Sequence, residues 1–392
     1  DRVVFHLLRP RSTFLHHLRT LGIVPKHAHG KDYGRHPIGS GPYKMVRWDE
    51  GQQLVVEANA LYYGKKPAIK RLVFLFLDAD TAFAAAKAGT VQVAAVPQIL
   101  ADKEVPGMRL VRVTSVDNRG IMFPCQKADH ADLNGKPVGN DVTADLAIRQ
   151  AINYAIDRQA LVDGVLNGFG TPAYGSVSHL PWEEKATRIK DNDLDKAATL
   201  LKEAGWEDHD QDGILDKDGV AAEFILFYPA DRLIRQSLAL AVEDMVAPLG
   251  IRIKLSGKSW EEIRKVQHAQ AVLFGWGSYD PTEMYHLYHS RVSGQGYFNA
   301  GLYKNPTVDA YLDQALAAAN QEEAEKFWRA AQWDGSTGVA VQGDAPWAWL
   351  VNLDHTYLVD KHLDTGTNRI EPHGHGWPIT ANIVDWQWKK KL

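Results

Sequence analysis

Two histidines near the carboxyl end, His373 and His375, are the residues whose type and spacing point most directly to chemistry. They alternate with glycines in the run EPHGHGWP, residues 371–378. If this run is extended, side chains two residues apart face the same side, and the glycines leave both rings unshielded. Imidazole is a preferred ligand of nickel, zinc and copper. The pair is therefore predicted to contact a metal or its chelate; the alternative is a glycine-rich turn whose histidines bond backbone or water.

Two further histidine pairs are weaker candidates among the 16 histidines of the chain. His286 and His289 lie three residues apart on a predicted helix over 283–290, so they share one face. His27 and His29 follow a proline and are separated by one residue. We interpret the first pair as part of a solvated helical face and the second pair as linker residues.

The acidic run DHDQDGILD, residues 208–216, matches the first nine positions of a calcium-binding loop, with a glycine at the sixth. The acids of this run are Asp208, Asp210, Asp212 and Asp216. The twelfth position is Gly219 rather than the bidentate glutamate of a complete loop. A calcium ion at these four aspartates is one prediction, and a plain acidic turn is the other.

Composition narrows the class of protein before any fold is considered. The chain has 392 residues, of which 45% are hydrophobic and 23% charged, with a net charge of −4. This length and composition are typical of a globular protein with two domains. The charge offers no footprint for nucleic acid, and no apolar run approaches the roughly 18 residues of a membrane span. The single cysteine, Cys125, excludes an internal disulfide and a cysteine-based metal or redox site.

Motifs of the common enzyme classes are absent from the sequence. Gly39-Ser40-Gly41 is not the Gly-X-Ser-X-Gly elbow of a hydrolase, and there is no phosphate-binding loop, dinucleotide fingerprint or His-Glu-X-X-His. A metal-dependent hydrolase using the same histidines needs three protein ligands and a glutamate base, and no third ligand stands at diagnostic spacing. The chain is therefore predicted not to be an enzyme, with such a hydrolase as the remote alternative.

Short apolar strands alternate with amphipathic helices along the chain, which predicts an α/β fold. The strongest helix signal spans 143–167, where a capping residue precedes an apolar stripe and Gly168 follows it. The chain begins with Asp1 rather than Met and opens at once on the strand-like run 3–7. We therefore expect that a preceding part of the fold is missing.

Several sequence blocks occur in an order and spacing typical of one protein family. They are PIGSGPYK at 37–44, YYGKKP at 62–67, IRQAINYAIDR at 148–158, GFGTPA at 168–173 and GWGSYDP at 275–281. Together they resemble the large solute-binding proteins of bacterial ABC transporters, the family 5 receptors for oligopeptides, dipeptides and nickel complexes. The resemblance covers nearly the whole chain, and it is specific because so many blocks coincide.

This resemblance implies a bilobed α/β fold of the type II periplasmic-binding-protein kind, whose lobes close on a ligand. The implied domains are the remainder of the first lobe at 1–117 (with the end of a small extra domain at 1–30), the second lobe at 118–362, and a return to the first lobe at 363–392. The N-terminal part of the first lobe is expected to be missing. The resemblance also implies a periplasmic or cell-surface monomer that works with ABC permease subunits.

The resemblance further implies which residues contact the ligand. It places Trp276 and Tyr279 in the cleft. Peptide-binding members carry an aspartate three residues after the cleft tryptophan, where this chain has Tyr279. That arrangement is more similar to the nickel-binding members. Asp280 follows one residue later and is a further candidate ligand contact, which a shifted backbone would bring to the place of that aspartate. Trp377 is a further aromatic candidate, and Arg19 or Arg35 is expected to pair with the carboxylates of a chelator.

The sequence therefore predicts a receptor that captures nickel as a small chelate, such as a complex with histidine, by closure of two lobes. A receptor for oligopeptides or dipeptides of the same family is the alternative. Nickel, cobalt and zinc are not distinguished by these residues, because their ligand preferences overlap.

Overall fold

The computed structural model describes residues 2–128, 135–373 and 378–389. The chain divides into two compact units. The larger unit joins the chain up to His17 with Val116–Leu353, and the smaller unit joins Leu18–Ser115 with the chain from Asp354 onward. The predicted lobe boundaries at 117/118 and 362/363 stay a prediction.

The strands in the described residues are numbered in chain order. They are β1 (Tyr43–Asp49), β2 (Gln53–Ala58), β3 (Arg71–Leu75), β4 (Val93–Val96), β5 (Met108–Val113), β6 (Asn118–Met122), β7 (Gly170–Pro172), β8 (Asp216–Lys217), β9 (Val220–Ala221), β10 (Glu223–Pro229), β11 (Arg252–Lys258), β12 (Ala271–Trp276), β13 (Trp347–Leu353), β14 (His355–Asp360), β15 (Leu363–Asp364) and β16 (Gln387–Trp388).

The α-helices are α1 (Phe14–Thr20), α2 (Ala79–Lys87), α3 (Gln98–Ala101), α4 (Leu146–Ala155), α5 (Arg158–Leu166), α6 (Leu194–Glu203), α7 (Leu233–Val246), α8 (Trp260–Val266), α9 (Thr282–Tyr288), α10 (Pro306–Ala317) and α11 (Gln321–Gln332). Short 3-10 helices occur at Lys185–Thr187, Ala247–Leu249, Ser290–Val292 and Ile379–Asp385. This mixture confirms the predicted α/β class. Among the described residues, none of these helices combines the length and the apolar character that crossing a membrane requires.

The larger unit is built on a six-stranded sheet with the order β11-β10-β12-β6-β13-β7. Strand β10 pairs in parallel with β11 and β12, whereas β6 runs antiparallel to both β12 and β13, and β13 runs antiparallel to β7. The last residues of β12 and β13 therefore lie at the same edge of the sheet as the first residues of β6 and β7. We call this edge the site edge, because the candidate functional residues lie along it.

Helices cover both faces of this sheet, which explains why β10, β12 and β13 are nearly continuous apolar runs. Side chains of a strand alternate between the two faces. In β12, Ala271 and Leu273 pack in the core formed with helices α4 to α7, whereas Val272 and Phe274 pack in the core formed with helices α8 to α11. The two cores hold the site edge in a fixed place.

The prediction of one helix over 143–167 is wrong, because this segment forms α4 and α5 with a break between them. Asp157 has an extended backbone, and its carboxylate accepts the N–H of Ala160 (2.9 Å), so it starts a new helix as an N-cap. The carbonyl of Ile156, freed by the break, accepts the N–H of Asn192 (3.1 Å). Apolar periodicity continues across the break and therefore did not reveal it.

The smaller unit contains two three-stranded sheets, β1-β2-β3 and β4-β14-β5. Strand β14 is central in the second sheet and pairs antiparallel with both neighbours. Val111, Tyr357 and Trp386 contribute to a small core in this unit. The backbone N–H of Glu371 donates to the carbonyl of Thr114 (2.9 Å), so the histidine-bearing run starts close to the end of β5.

Candidate functional site

A row of four residues crosses the larger sheet at the site edge. Trp276 on β12 is opposite Asn118 on β6. Asn118 is in turn opposite Asn352 on β13, and Asn352 is opposite Thr171 on β7. In open α/β sheets, ligands bind outside the carboxyl ends of the strands, and β12 and β13 both end here. This edge is therefore the candidate site.

The two asparagines of the row are buried and held by hydrogen bonds. Asn118 Nδ2 donates to the carbonyl of Ser176 (3.0 Å), and its Oδ1 accepts the backbone N–H of Trp276 (3.1 Å). Asn352 Nδ2 donates to Ser178 Oγ (3.0 Å). Because buried amides are costly to leave unpaired, the bonds of Asn118 fix the backbone from which the Trp276 side chain projects.

Trp276 itself brings an unpaired donor to the site. Its ring is half-buried, with the centroid 6.4 Å from that of Phe298. The indole Nε1 is buried and has no hydrogen-bond partner within the described part of the chain. Nearly all buried polar groups in proteins are paired, so this N–H is a ready donor for an acceptor atom of a ligand.

Residues 277–281, which we call the strap, follow Trp276 and lead into α9. Gly277 has φ +140°, and a Cβ there would lie 2.2 Å from the carbonyl oxygen of Val116, so only glycine fits. Ser278 Oγ accepts the N–H of Asp280 (3.0 Å), and the Glu283 carboxylate accepts the N–H of Gly277 (3.0 Å). The strap is therefore closed by its own hydrogen bonds and by the helix that follows it.

Two guanidinium groups, those of Arg119 and Arg235, lie against β12 at Gly275. Arg119 pairs with Asp117 through both of its terminal nitrogens, and Arg235 donates to the carbonyl of Leu273 (2.7 Å). Both lie against Gly275, where a Cβ would come within 2.6 Å of Arg119 Nη1 and 3.0 Å of Arg235 Nη2. Burial, and then the charge of Arg119, lowers the pKa of Arg235 to about 9. The absent side chain of Gly275 is what lets these cations approach the strand.

Carboxylates gather around the strap. Burial, with a smaller contribution from the charges of Asp117 and Asp280, raises the pKa of Glu283 to about 7, although the N–H groups of Gly277 and Ser278 act to lower it. Asp280 Oδ1 accepts the N–H of Thr282 (2.9 Å), while Oδ2 lies 3.2 Å from Nε2 of His17. The site thus combines the Trp276 ring, whose N–H has no partner among the described residues, with carboxyl groups that hydrogen bonds and nearby cationic or imidazole side chains partly neutralise.

The interpretation of His286 and His289 as a solvated face is wrong, because aromatic rings cover both. His286 stacks on Phe298 with 4.1 Å between ring centroids, and burial lowers its pKa. His289 is buried and stacks on Tyr285 at 4.2 Å. The other pair, His27 and His29, is exposed, as expected of linker residues.

Three of the predicted ligand contacts lie together in the larger unit. Trp276 ends β12, and both Tyr279 and Asp280 belong to the strap; all three are half-buried. The predicted arginines belong to the smaller unit. Arg19 is exposed on α1, and Arg35 is exposed and forms an ion pair with Glu50. The ligand contacts of these residues stay predictions.

The predicted metal ligands divide between described and undescribed parts of the chain. His373 is half-buried in a bend of the smaller unit. His375 and Trp377 lie outside the described residues. Metal binding by the two histidines therefore stays a prediction, as does the role of Trp377.

Sequence reasoning missed a polar cluster at the start of the histidine-bearing run. Glu371 is buried, and its Oε2 accepts the hydroxyl of Tyr357 (2.6 Å) and lies 2.6 Å from Nδ1 of His355. Burial, together with the Glu371 carboxylate, raises the pKa of Tyr357. No local motif links Glu371 to β14, so only its position beside the glycine-rich run could have drawn attention to it.

The acidic run of the larger unit is only partly arranged as a cation site. Ligand atoms of Asp208, Asp210 and Asp212 lie within 4.8 Å of one another, and all three residues are exposed. Asp216 has a different partner, because its Oδ1 lies 3.0 Å from Nδ1 of His209 and its Oδ2 accepts the N–H of that histidine (3.1 Å). Calcium at the four aspartates stays a prediction.

Comparisons with known proteins agree with this architecture. Residues 1–298 match the family model described as bacterial extracellular solute-binding proteins, family 5 middle. The chain is 34% identical over 382 residues to Protein XP55 of Streptomyces lividans, covering 94% of this chain and 66% of that protein. It spans 66% or less of the length of the first curated relatives it matches.

Two solved structures confirm the predicted type of fold. NikZ from Campylobacter jejuni, in complex with Ni(L-His), matches with a TM-score of 0.80 and 27% identity, covering 97% of this chain and 75% of that one. The oligopeptide-binding protein AppA from Bacillus subtilis, in complex with a nonapeptide, matches with a TM-score of 0.74 and 25% identity, covering 98% and 75%. The chain therefore belongs to the family 5 bacterial extracellular solute-binding proteins.

Proposed function

We propose that the protein carrying this chain is an extracytoplasmic receptor, periplasmic or at the cell surface, that captures nickel as a small-molecule chelate for an ABC importer. Its partners are then the chelate and the permease subunits of that importer, and the receptor acts as a monomer. Closure of two lobes around the ligand is the expected capture motion. Solute-binding proteins of this family are receptors, so no enzyme activity is assigned to the chain.

The observation that carries this proposal is that both carboxylate oxygens of Asp280, in the strap, already have partners. One carboxylate oxygen of Asp280 accepts the N–H of Thr282 (2.9 Å), and the other lies 3.2 Å from His17 Nε2. A carboxylate engaged on both oxygens is poorly prepared to anchor the amino terminus of a peptide. At the position where peptide receptors of this family carry that anchor, this chain has Tyr279. A flat ligand with carboxylate oxygens suits such a site better.

A nickel chelate of an amino acid such as L-histidine offers carboxylate oxygens and rings, which complement the groups at the site edge. Its carboxylate oxygens would accept the unpaired Nε1 N–H of Trp276, and its rings would lie against Trp276 and Tyr279. Imidazole from His373 or His375 would complete the metal coordination. Arg19 or Arg35 would pair with the remaining carboxylate. The likeness to NikZ, a protein solved with Ni(L-His), supports this choice of ligand.

A peptide receptor is the second candidate, and one observation favours it. Asp117, Asp280 and Glu283 bring three carboxyl groups into electrostatic contact at the site edge, and an ammonium group is the ligand that such a cluster attracts. The likeness to AppA, a protein solved with a nonapeptide, is compatible with this reading. The two candidates differ in the ligand and not in the class of protein.

Titration calorimetry on the full chain distinguishes the candidates. We expect binding heat with Ni²⁺ plus L-histidine, and none with Ni²⁺ alone or with a mixed tripeptide pool. Trp276→Ala is expected to weaken chelate binding by about tenfold or more, because it removes a donor and a ring surface. Trp388→Ala, at a ring that is 51% exposed on β16, is the matched control and should leave the affinity unchanged. Heat with peptides only would end the nickel proposal.

The histidine pair is tested separately. His373→Ala combined with His375→Ala is expected to lower the affinity for Ni²⁺ plus L-histidine by about tenfold or more, since imidazole is a strong nickel ligand. The melting temperature should stay the same. His27→Ala combined with His29→Ala removes an exposed pair of the same spacing and serves as the control. An unchanged affinity in the first double variant would remove His373 and His375 from the site.

A further inference from the structure

Glu283, which neither the family blocks nor the histidine pattern singled out, holds the backbone next to Trp276. It lies in the first turn of α9 and is half-buried. Its carboxylate accepts the N–H of Gly277 at 3.0 Å, and the backbone N–H groups of Gly277 and Ser278 both act to lower its pKa. The first N–H group of the strap is therefore held by the carboxylate of the helix that follows it.

The backbone of Trp276 is in this way fixed from both sides. Its own N–H donates to Asn118 Oδ1 (3.1 Å), and the next N–H, that of Gly277, donates to Glu283. Asn118 is itself buried and held by the carbonyl of Ser176 (3.0 Å). Because the backbone of Trp276 is held on both sides, its ring projects from a fixed position before a ligand arrives.

We propose that Glu283 is a positioning residue for ligand capture, which holds Gly277 so that Trp276 and Tyr279 meet the ligand in a fixed geometry. This inference rests on the proposed function and deepens it, because it names the residue that prepares the site. Glu283 does not touch the ligand in this scheme. It acts through the strap.

The charge on Glu283 matters because an ionised carboxylate accepts an N–H group more strongly than a neutral acid, which also carries a donor. Burial places its pKa near 7, with Asp117 and Asp280 acting in the same direction. Acidification below that value should therefore loosen the strap. A pH change between 8 and 6 thus becomes a probe of the positioning role.

Other charged groups face this region and must be accounted for. Arg119 neutralises Asp117 from β6, and Arg235 approaches from α7. His17 and His286 act on Asp280 and on each other, from α1 and α9. Tyr288, on the same helix as Glu283, is buried with a raised pKa and stays neutral across this range.

Replacing Glu283 with glutamine should raise the stability of the fold at pH 8 and lower the affinity for the ligand. Because the pKa of Glu283 is raised in the folded chain, the neutral form stabilises the fold below about pH 4.5, and that contribution is lost as pH rises through about 7. At pH 8 the unaltered chain therefore carries an ionised Glu283 at a cost in stability. Glu283→Gln removes this cost but leaves a single, weaker acceptor for the strap.

The test compares the unaltered chain with Glu283→Gln at pH 8, 7 and 6, using Ni²⁺ plus L-histidine in calorimetry and thermal melts without ligand. At pH 8 we expect the variant to melt at a higher temperature and to bind about tenfold more weakly. The affinity ratio of the two proteins should shrink toward one by pH 6. Taking the ratio cancels the protonation of the chelate itself. His17→Gln, tested in parallel, should preserve this convergence.

Glu262→Gln is the matched control. Glu262 also accepts a backbone N–H, that of Ser259 (3.1 Å), in the first turn of α8, but it belongs to a capping box. Its pKa is lowered by the Ser259 N–H rather than raised. The control should lower the melting temperature at pH 8 and leave the affinity unchanged.

A second measurement keeps the inference testable if the ligand is wrong. Amide hydrogen exchange, expressed as protection factors, should show Gly277 losing protection from pH 8 to pH 6 in the unaltered chain and being poorly protected throughout in Glu283→Gln. Absence of binding heat with intact exchange behaviour would reject the nickel chelate and keep the positioning role. A constant affinity ratio across pH, joint loss of stability and affinity at pH 8, or equal protection in both proteins would overturn the inference.

Discussion

Replacing Arg158 with methionine is expected to lower the free energy of unfolding of the larger unit by about 3–5 kcal/mol. The Arg158 side chain is fully buried, and burial lowers its pKa against the opposing charge of Asp191. Its Nε donates to the carbonyls of Ala173 (2.9 Å) and Trp349 (2.8 Å), and Nη2 donates to Asn153 Oδ1 (2.9 Å). Methionine fills most of the volume but leaves these acceptors unpaired and Asp191 without its cation (2.5 Å).

Denaturation by urea at pH 7, followed by tryptophan fluorescence, measures this loss. The matched control is Arg188→Met, because Arg188 lies over the same Tyr174 ring as Arg158, at 5.9 Å against 5.0 Å. The Arg188 side chain is 64% exposed and faces Glu183 at 3.6 Å, so its replacement should cost less than about 0.5 kcal/mol. Equal losses in the two variants would show that the buried network contributes nothing beyond ring stacking.

Arg158 also shows where prediction from sequence ended. Strand and helix types followed from apolar periodicity, and the family blocks located the segment that contains Arg158. The break before it was missed, because it depends on Asp157 capping α5 and on Asn192 binding the carbonyl of Ile156. Those partners come from outside the periodic run. Hydrophobic pattern records which face is buried, and it does not record where the backbone finds alternative hydrogen bonds.

The candidate site divides in the same way. Trp276, Tyr279 and Asp280 were found because they stand in a recognisable block, and the structure places them together at one sheet edge. Asn118 and Glu283 were missed. Asn118 reaches Trp276 through the register of two strands that are far apart in sequence, and register is set by tertiary packing rather than by a local signal.

Replacing Gly277 with alanine is the second large effect expected. The residue has φ +140°, which an L side chain rarely adopts, and its Cβ would meet the carbonyl oxygen of the buried Val116 at 2.2 Å. Either the strap or the segment just before β6 must move. Backbone strain of this kind costs about 1–3 kcal/mol, and the clash adds to it. Because the Gly277 N–H is held by Glu283, chelate affinity should fall by about tenfold or more as well.

Gly205→Ala separates strain from clash. Gly205 also has a positive φ, +85°, but a Cβ there meets nothing within 4 Å, so alanine should cost about 1 kcal/mol and leave the affinity unchanged. Urea denaturation and calorimetry with Ni²⁺ plus L-histidine on both variants give the comparison. If Gly277→Ala lost no more stability and no more affinity than Gly205→Ala, the strap would tolerate a Cβ at residue 277. A strap that yields so easily could not orient Trp276, and a pre-set binding geometry at the site edge would then have to be abandoned.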